Sequence, residues 1–335
     1  MRPSFVSRLV NGPFFDPVLY VRIANEKRAV MFDCGYFQTL ADRELLALDT
    51  ICISHAHMNH FMGFDSVLRT VLHRKEPLNV YGPEGIIRKV LSKLQSYTWN
   101  LSSDYALEIR IHEILPGQVN IARARAAAGF ALCSEEVVPR TGALIAAAQR
   151  YFIEAVILDH AGIPCLGYAL KEPFHINIRK GALTKKGYKA GTWLGKLKSC
   201  ILAGNTGQIL RVKTSSGDRE IPAGELKEEL VVITEGQSIA YVTDIAFTER
   251  NRSALAILGK GFGRLYIETF YLDELRGLAL RRGHLTAAQA GKIAASMKAG
   301  QAFPMHVSPR FHDRMDEIFA EMTGTCKASP DGIIH

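Results

Sequence analysis

The chain has no apolar run approaching the ~20 residues that a membrane-spanning helix needs, which excludes such a helix. Its first residues, MRPSFVSRLVNGPFF, carry charge and a Pro and lack a long apolar stretch, so a secretory signal is not expected. CxxC pairs are absent. Cys34, Cys52, Cys133, Cys165, Cys200 and Cys326 are scattered, several inside apolar runs such as DTICIS. That distribution argues against a disulfide framework and predicts buried free thiols in a reducing cytoplasm. Low-complexity tracts and repeats of solenoid period are missing as well. What is present is ordinary: 47% hydrophobic and 22% charged residues over 335 positions, a folded protein of one large or two small domains.

The net charge of +8 permits a polyanionic partner without requiring one. Its distribution is more telling. Residues 171–200 hold eight Lys or Arg against the single acid Glu172, and Phe174, Tyr188 and Trp193 are interleaved with the cations. A solvated surface excursion would have this composition. So would a phosphate-binding arm, in which cations release counterions from nucleic acid and aromatics stack on exposed bases.

Short apolar segments 17–23, 29–33 and 49–54 read as strands, while 61–74 and 84–98 place apolar residues at helical spacing. Further strands are expected at 151–159, 230–234, 238–244, 264–268 and 302–307, the second and third joined by the tight EGQ connection. An Ala-rich helix is expected over 286–298 with Thr286 as its N-cap, and a last helix over 311–321. Strands dominate each half and helices close it. Two stacked sheets between helical layers and a doubly wound parallel sheet both suit this order.

The strongest local signal is Ser54-His55-Ala56-His57-Met58-Asn59-His60, directly after a strand. His55 and His57 can point the same way and pinch one ion, and His60, further round the turn, can reach another. Imidazole suits Zn²⁺ and similar metals. Other histidines, His73, His112, His175, His312 and His335, read as ordinary surface or helix residues, and Asp33 and Asp65 as groups that orient metal ligands or cap turns.

A His-x-His-x-Asp-His pattern after a strand is the signature of the metallo-β-lactamase fold, and the chain resembles that superfamily and, within it, the ribonuclease Z group of transfer-RNA 3′-processing endonucleases. FDCG (32–35), LDHAGIPCLGY (158–168), YVTD (241–244) and MHVSPRF (305–311) resemble further family motifs in the family's order. RRGHLTAAQAG (281–291) carries the His-x-Thr-Ala element that marks the ribonuclease Z group. The resemblance implies an α/β fold, a four-layer αββα sandwich, as one domain over 1–335 with an arm-like basic insertion at about 171–200. It implies a first metal site of His55, His57, His160 and Asp244 and a second of His60, His306 and the bridging Asp244, filled by one or two ions of Zn²⁺ or Mn²⁺. In this reading the ions activate a water between them, and His284, oriented by Glu268, protonates the leaving oxygen. Arg310 and Ser308 lie near the substrate phosphate, and Lys185, Lys186, Lys189, Trp193 and Lys196 on the arm bind the RNA, a transfer-RNA precursor. AGTWLGKLK (190–198) looks like the arm's Gly-Pro motif with Thr192 in place of the Pro. The resemblance also suggests a homodimer; a membrane partner is not expected.

The family carries Asp where this chain has Asn59. An amide brings neither charge nor proton acceptance to the catalytic second site. Three accounts stay open: a natural variant with one tight metal, a deliberate substitution that slows turnover, and a degenerate relative. The preferred function is a metal-dependent phosphodiesterase of the ribonuclease Z type. Its rivals are a hydrolase of small phosphodiesters or esters on the same fold and a non-enzymatic RNA-binding relative.

Overall fold

The first 140 residues build a sheet whose spatial order is the chain order: β1 (Phe5–Leu9), β2 (Leu19–Ile23), β3 (Ala29–Phe32), β4 (Leu48–Cys52), β5 (Leu78–Gly82), β6 (Glu108–Leu115), β7 (Gln118–Arg125) and β8 (Leu132–Pro139). In this computed structural model, which describes residues 3–324, the run from β3 to β6 is parallel and both flanks are antiparallel. Parallel neighbours need crossovers, and helices Phe64–Val71 and Ile86–Gln95 supply two of them. Phe64, Val67, Leu68 and Val71 recur at helical spacing and form the buried face of the first.

After β9 (Leu144–Ala147), β10 (Phe152–His160) and β11 (Ile163–Lys171), the chain makes β12 (His175–Ile178), β13 (Ile209–Thr214), β14 (Gly217–Pro222) and β15 (Val231–Thr234) before returning as β16 (Ser238–Val242), β17 (Arg264–Glu268) and β18 (Gln301–Met305). The second sheet has the order β18-β17-β16-β11-β10-β9, with β16, β17 and β18 parallel. The two sheets face each other. Phe32 stacks on Tyr241 at 5.5 Å, and the Tyr168 hydroxyl donates to the Ile53 carbonyl oxygen at 2.8 Å. Outside them, Val67 and Val90 share a core with Met31, Ile51 and Val80, while Leu255, Ile293 and Met322 share another with Val242 and Leu265. The architecture is the four-layer αββα sandwich. Among the described residues no helix is long and apolar enough to cross a membrane.

The described chain divides into two compact units. The larger comprises Phe5–Ile145, Ile153–Leu170 and the residues from Ser238 onward; the smaller comprises the start of the chain to Ser4, Ala146–Phe152 and Lys171–Gln237. The smaller unit pairs β12 with β15 and β13 with β14, and adds helices Lys180–Lys185, Trp193–Leu202 and Ala223–Leu230. It has a core of its own, including Tyr188, Trp193, Leu197, Leu210, Val212 and Leu226. It runs to Gln237, well past residue 200, and residues 201–237 add four cations and six acids.

The strands expected at 230–234 and 238–244 are present as β15 and β16 and belong to different sheets: β15 is partly exposed and pairs with β12, whereas β16 is buried within the second sheet. Several other expectations need correction. The last helical segment is a 3₁₀ stretch, Pro309–Arg314, followed by an α-helix, Met315–Thr323. Cys133 is an exposed thiol, because β8 has both faces in solvent; Cys34, Cys52, Cys165 and Cys200 are buried and free. His175 is a buried strand residue whose Nδ1 lies 2.9 Å from Glu172 Oε2, and His112 stacks on Tyr81 from strand β6. Cys326 and His335 lie outside the described residues.

Candidate metal and catalytic centre

The site is assembled from the ends of strands. Asp33 follows β3, His55 follows β4 by three residues, His160 ends β10, Asp244 follows β16 by two residues, Glu268 ends β17, and His306 follows β18. Asp33, Asp244 and His306 hold positive φ angles of 53°, 49° and 51°. Non-glycine residues seldom adopt that conformation, and it tends to persist where the surrounding contacts enforce it. Here it turns each chain off its strand at the point where the side chain joins the cluster.

Asp33 is fully buried among protein donors. It accepts from the Ser54 N–H at 2.6 Å, the Ser54 hydroxyl at 2.7 Å and the Tyr241 hydroxyl at 2.7 Å, and it lies 2.8 Å from His60 Nδ1. A carboxylate offers about four lone-pair sites, so this set saturates it. Taking the Nδ1 proton of His60 fixes that ring and turns Nε2 toward Asp244, 3.4 Å from its Oδ2. His160 is oriented in the same manner: its Nδ1 donates to the Gly283 carbonyl oxygen at 2.8 Å. Gly283 has φ +71° and a side chain there would meet His160 Nδ1 at 2.9 Å, so the close approach needs glycine.

One ligand-capable atom each from His55, His57, His160 and Asp244 lies within 4.8 Å of the others. A second such group comprises Asp244, Glu268, His284 and His306. His60 adjoins both through Asp244. The buried Nε2 atoms of His55 and His60 have no hydrogen-bond partner. A buried imidazole nitrogen without a partner is costly, and a divalent cation among three imidazoles and a carboxylate would satisfy it; the donor set therefore fits zinc or a similar metal.

Electrostatics reinforce this. Burial and the neighbouring His60 hold His55 down at about 2, so it stays a neutral ligand. Partial desolvation and His160 also lower His57. Burial disfavours a charge on His60, but Asp244 and Asp33 outweigh it and push the ring up to about 10. A cation would take over from that proton. Burial alone would raise Asp244; His306 and His60 hold it well below the usual carboxylate range.

Beside the cluster, His284 Nδ1 lies 2.9 Å from Glu268 Oε2, and Phe270 stacks on the imidazole at 4.2 Å. Glu268 Oε1 also accepts the N–H groups of Ile245 and Leu285. Burial opposes the imidazolium of His284, but Glu268 more than compensates and raises it above the ordinary value. Thr286 caps the following helix, accepting the Gln289 N–H at 3.3 Å.

Asn59 sits between the exposed Met58 and the buried His60, with Nδ2 3.1 Å from His306 Nε2. Arg310 is exposed, its guanidinium 5.4 Å from the Tyr271 ring centre, and Ser308 is nearly buried, its N–H donating to the Phe270 carbonyl oxygen. Asp65 orients nothing in the cluster; it pairs with Lys93 at 2.7 Å on the helical layer. Lys185, Lys186, Lys189, Trp193 and Lys196 belong to the smaller unit. Trp193 is 4% exposed and donates its indole N–H to the Lys189 carbonyl oxygen, so it cannot offer a face to a base as its place among cations had suggested. Tyr188 is buried likewise and Lys186 pairs with Glu229; Lys185, Lys189 and Lys196 are exposed. Sequence reading missed Ser54 and Tyr241 as partners of Asp33, the Gly283 carbonyl and the Phe270 stack. Ser54, Tyr241 and Gly283 all stand inside motifs the sequence singles out, but nothing local in the sequence shows which group each one meets.

No family model matches the chain. A ribonuclease Z from Deinococcus radiodurans is 34% identical over 311 residues, spanning 91% of this chain and 90% of that relative. The metallo-β-lactamase-fold protein YhfI from Bacillus subtilis superposes with a TM-score of 0.54 at 12% identity, over 95% of this chain and 92% of the other. The short form of human tRNase Z gives 0.52 at 14% identity, over 92% and 93%. At such identities the two structures speak for the fold, which is that of the metallo-β-lactamases.

Proposed function

The chain belongs to the ribonuclease Z family and is a metal-dependent hydrolase of the endoribonuclease kind, and on that premise we propose that it trims 3′-extended transfer-RNA precursors. The observation that carries the reading is the Glu268–His284 pair, 2.9 Å apart at the side of the His/Asp cluster. A hydrolytic centre for phosphodiesters needs an acid for the leaving oxygen, and this pair is built as one.

In this reading His55, His57, His160 and Asp244 hold one ion, with His60, His306 and the shared Asp244 completing a second site. Zinc or manganese bound there would polarise the phosphoryl oxygen and lower the pKa of a water. The remaining work falls to the chain. Asp33 and the Gly283 carbonyl fix the His60 and His160 rings before any ligand arrives. Glu268 keeps a proton on His284 Nδ1 and favours the imidazolium, so Nε2 can donate to the leaving oxygen. Phe270 holds the ring plane. Arg310 supplies a positive charge for the phosphate beside the scissile one. Lys185, Lys189 and Lys196 attract the RNA backbone, and Trp193 contributes by holding their unit together. Among the described residues, Cys34, Cys52, Cys133, Cys165 and Cys200 are unbridged, which suits the reducing cytoplasm, where such precursors are processed.

The Asn59–His306 contact favours a second reading, an RNA-binding relative with impaired chemistry. Incubation with a 3′-extended transfer RNA in Zn²⁺ or Mn²⁺, beside a His284→Ala variant, separates them. Metal-dependent release of the 3′ extension that fails in the variant is expected. RNA binding without cleavage at any metal concentration would overturn the enzyme reading of this substrate.

A further inference from the structure

The loop before β2 presents two consecutive phenylalanines in opposite ways. Phe14 packs into the cluster formed by Phe270, Val307 and Phe311, with its ring 5.0 Å from His312. Phe15 stands 68% exposed. The loop beneath it is fixed. Val307 donates its N–H to the Pro13 carbonyl oxygen at 2.8 Å, and the Asn11 side chain donates to the carbonyl oxygens of Asp16 and Tyr36, each at 2.7 Å. The Tyr36 N–H donates to Asp16 Oδ2 at 2.9 Å. An exposed aromatic on a tied-down loop loses little conformational freedom on meeting a ligand.

This loop borders the catalytic centre. Gly35 is wedged between Asp16 and Asn59: a side chain there would meet the Asn59 carbonyl oxygen at 2.3 Å and Asp16 Cβ at 2.5 Å. Asp16, Gly35 and Asn59 thus meet at one junction, and the residues next to each in sequence, Phe15, Tyr36 and Met58, are all exposed, Tyr36 at 51% and Met58 at 76%. An apolar group set beside a highly polar cluster invites a ligand that is charged at one end and flat and apolar at the other. A nucleotide has that form, and stacking on an aromatic face is how unpaired bases are held.

We propose that Phe15 and Tyr36, flanked by Met58, form a nucleobase-stacking subsite at the mouth of the His/Asp cluster for the unpaired nucleotide next to the scissile phosphodiester. The proposal rests on the endoribonuclease reading. It makes the enzyme sensitive to the presence of a base at one flanking position and tolerant of which base it is, since every base has a π-face. Three side chains fall short of the ~800 Å² per partner that a stable protein interface buries, which favours RNA over a second copy as the occupant.

The test uses the full chain and 3′-extended RNAs with an abasic nucleotide placed in turn on either side of the scissile bond. For the wild type, removing the base at one of the two positions is expected to lower kcat/KM by about tenfold or more, within the range of a stacking contact. In Phe15→Ala/Tyr36→Ala the same removal should cost less than about twofold. Phe15→Leu, which keeps apolar bulk without a ring, should behave like Ala. A second readout does not depend on cleavage: 2-aminopurine at that position should be quenched on binding to the wild type and much less by the double variant. Equal sensitivity to base removal in wild type and variant, or full quenching by the variant, overturns the subsite. So does a dimer, seen by sedimentation, that the double variant dissociates. Quenching by a wild type that cleaves no RNA would instead overturn the endoribonuclease reading and leave the subsite as a binding site.

Discussion

The side-chain Nδ2 of Asn59 lies 3.1 Å from Nε2 of His306, while Nδ1 of the same ring lies 2.7 Å from Asp244 Oδ1. At Nε2 the ring thus meets an amide, which brings no charge, where the family's carboxylate would bring a negative charge and an acceptor, while Nδ1 faces Asp244 and Glu268.

Asn59→Asp should reverse this. A carboxylate can accept from Nε2–H and adds a negative charge. The two side chains are nearly isosteric, so packing should change little. Metal content under limiting metal is expected to rise from nearer one ion per chain toward two, and phosphodiester cleavage by about tenfold or more. Elemental analysis and kcat/KM at matched metal concentration decide it. Equal rates with two bound ions would show that Asn59 does not limit turnover.

The Glu268–His284 pair sets a pH dependence. Glu268 raises the His284 pKa above 6.5, so the imidazolium survives to higher pH than a free histidine would allow. The acid form, and whatever stability the ion pair gives, is fully present below the unfolded value and is lost as pH rises through the folded one. Glu268→Gln removes the charge while keeping an acceptor. The alkaline limb of the kcat profile should move to lower pH, and kcat at pH 8 should fall more than kcat at pH 6. His284→Ala should lower kcat by about 10²–10⁴-fold with a much smaller change in KM. A loss confined to KM would make His284 a binding residue.

Asp33 touches nothing that reacts, yet its replacement should be severe. Asp33→Asn sets an amide against the hydroxyls of Ser54 and Tyr241 and against His60 Nδ1, in a fully buried place. Breaking a buried charged network typically costs about 3–5 kcal/mol, and losing an outer partner of a ligating histidine costs roughly 10–100-fold in metal affinity. Denaturant unfolding and competition with a chelating dye would measure the two effects. A variant as stable as the wild type, with unchanged metal affinity, would show that Asp33 is dispensable.

The parts of this picture legible in the sequence are the local ones. His55, His57 and His60 are close in the chain, and Thr286 with Gln289 makes its capping box within four residues. Strands buried on both faces, such as β3 and β4, announce themselves as apolar runs. Other strands are not expected from the sequence: β6 and β7 alternate only loosely and every residue of β8 is exposed, while β5 and β11 are largely buried but are short or interrupted by Pro and Gly. The environment of Asp33 was legible only as an expectation, because Tyr241 reaches it from 208 positions away. Trp193 shows the limit most plainly. Cations surround it in the chain, but in the fold Leu197, Leu210 and Val212 share its core, and sequence neighbours do not reveal which side of a short helix faces inward.

The smaller unit offers the last prediction, because its cations and its tryptophan should fail in different ways. Lys185, Lys189 and Lys196 are exposed, so their charges act through the solvent on a polyanion. Replacing all three with Ala should leave thermal stability almost unchanged, as surface substitutions usually do. It should also weaken RNA binding and flatten its salt dependence, by up to about 0.7–0.9 of a unit of slope per lost phosphate contact. Lys186 is already paired with Glu229, so adding Lys186→Ala should change the slope less than any of the other three. Trp193→Ala removes a large side chain from a closed core and should destabilise the unit by about 3–5 kcal/mol. Because its face is buried, a smaller ring that still fills part of the core should preserve RNA binding even without the N–H donated to Lys189: Trp193→Phe is expected to retain most of the affinity at a temperature where the unit stays folded. Filter binding over a range of salt, with circular dichroism melts beside it, reads both effects. A stable Trp193→Phe protein that loses RNA affinity at every salt concentration would mean that the indole meets the RNA after all. An unaltered salt slope in the triple lysine variant would mean that these cations face only water.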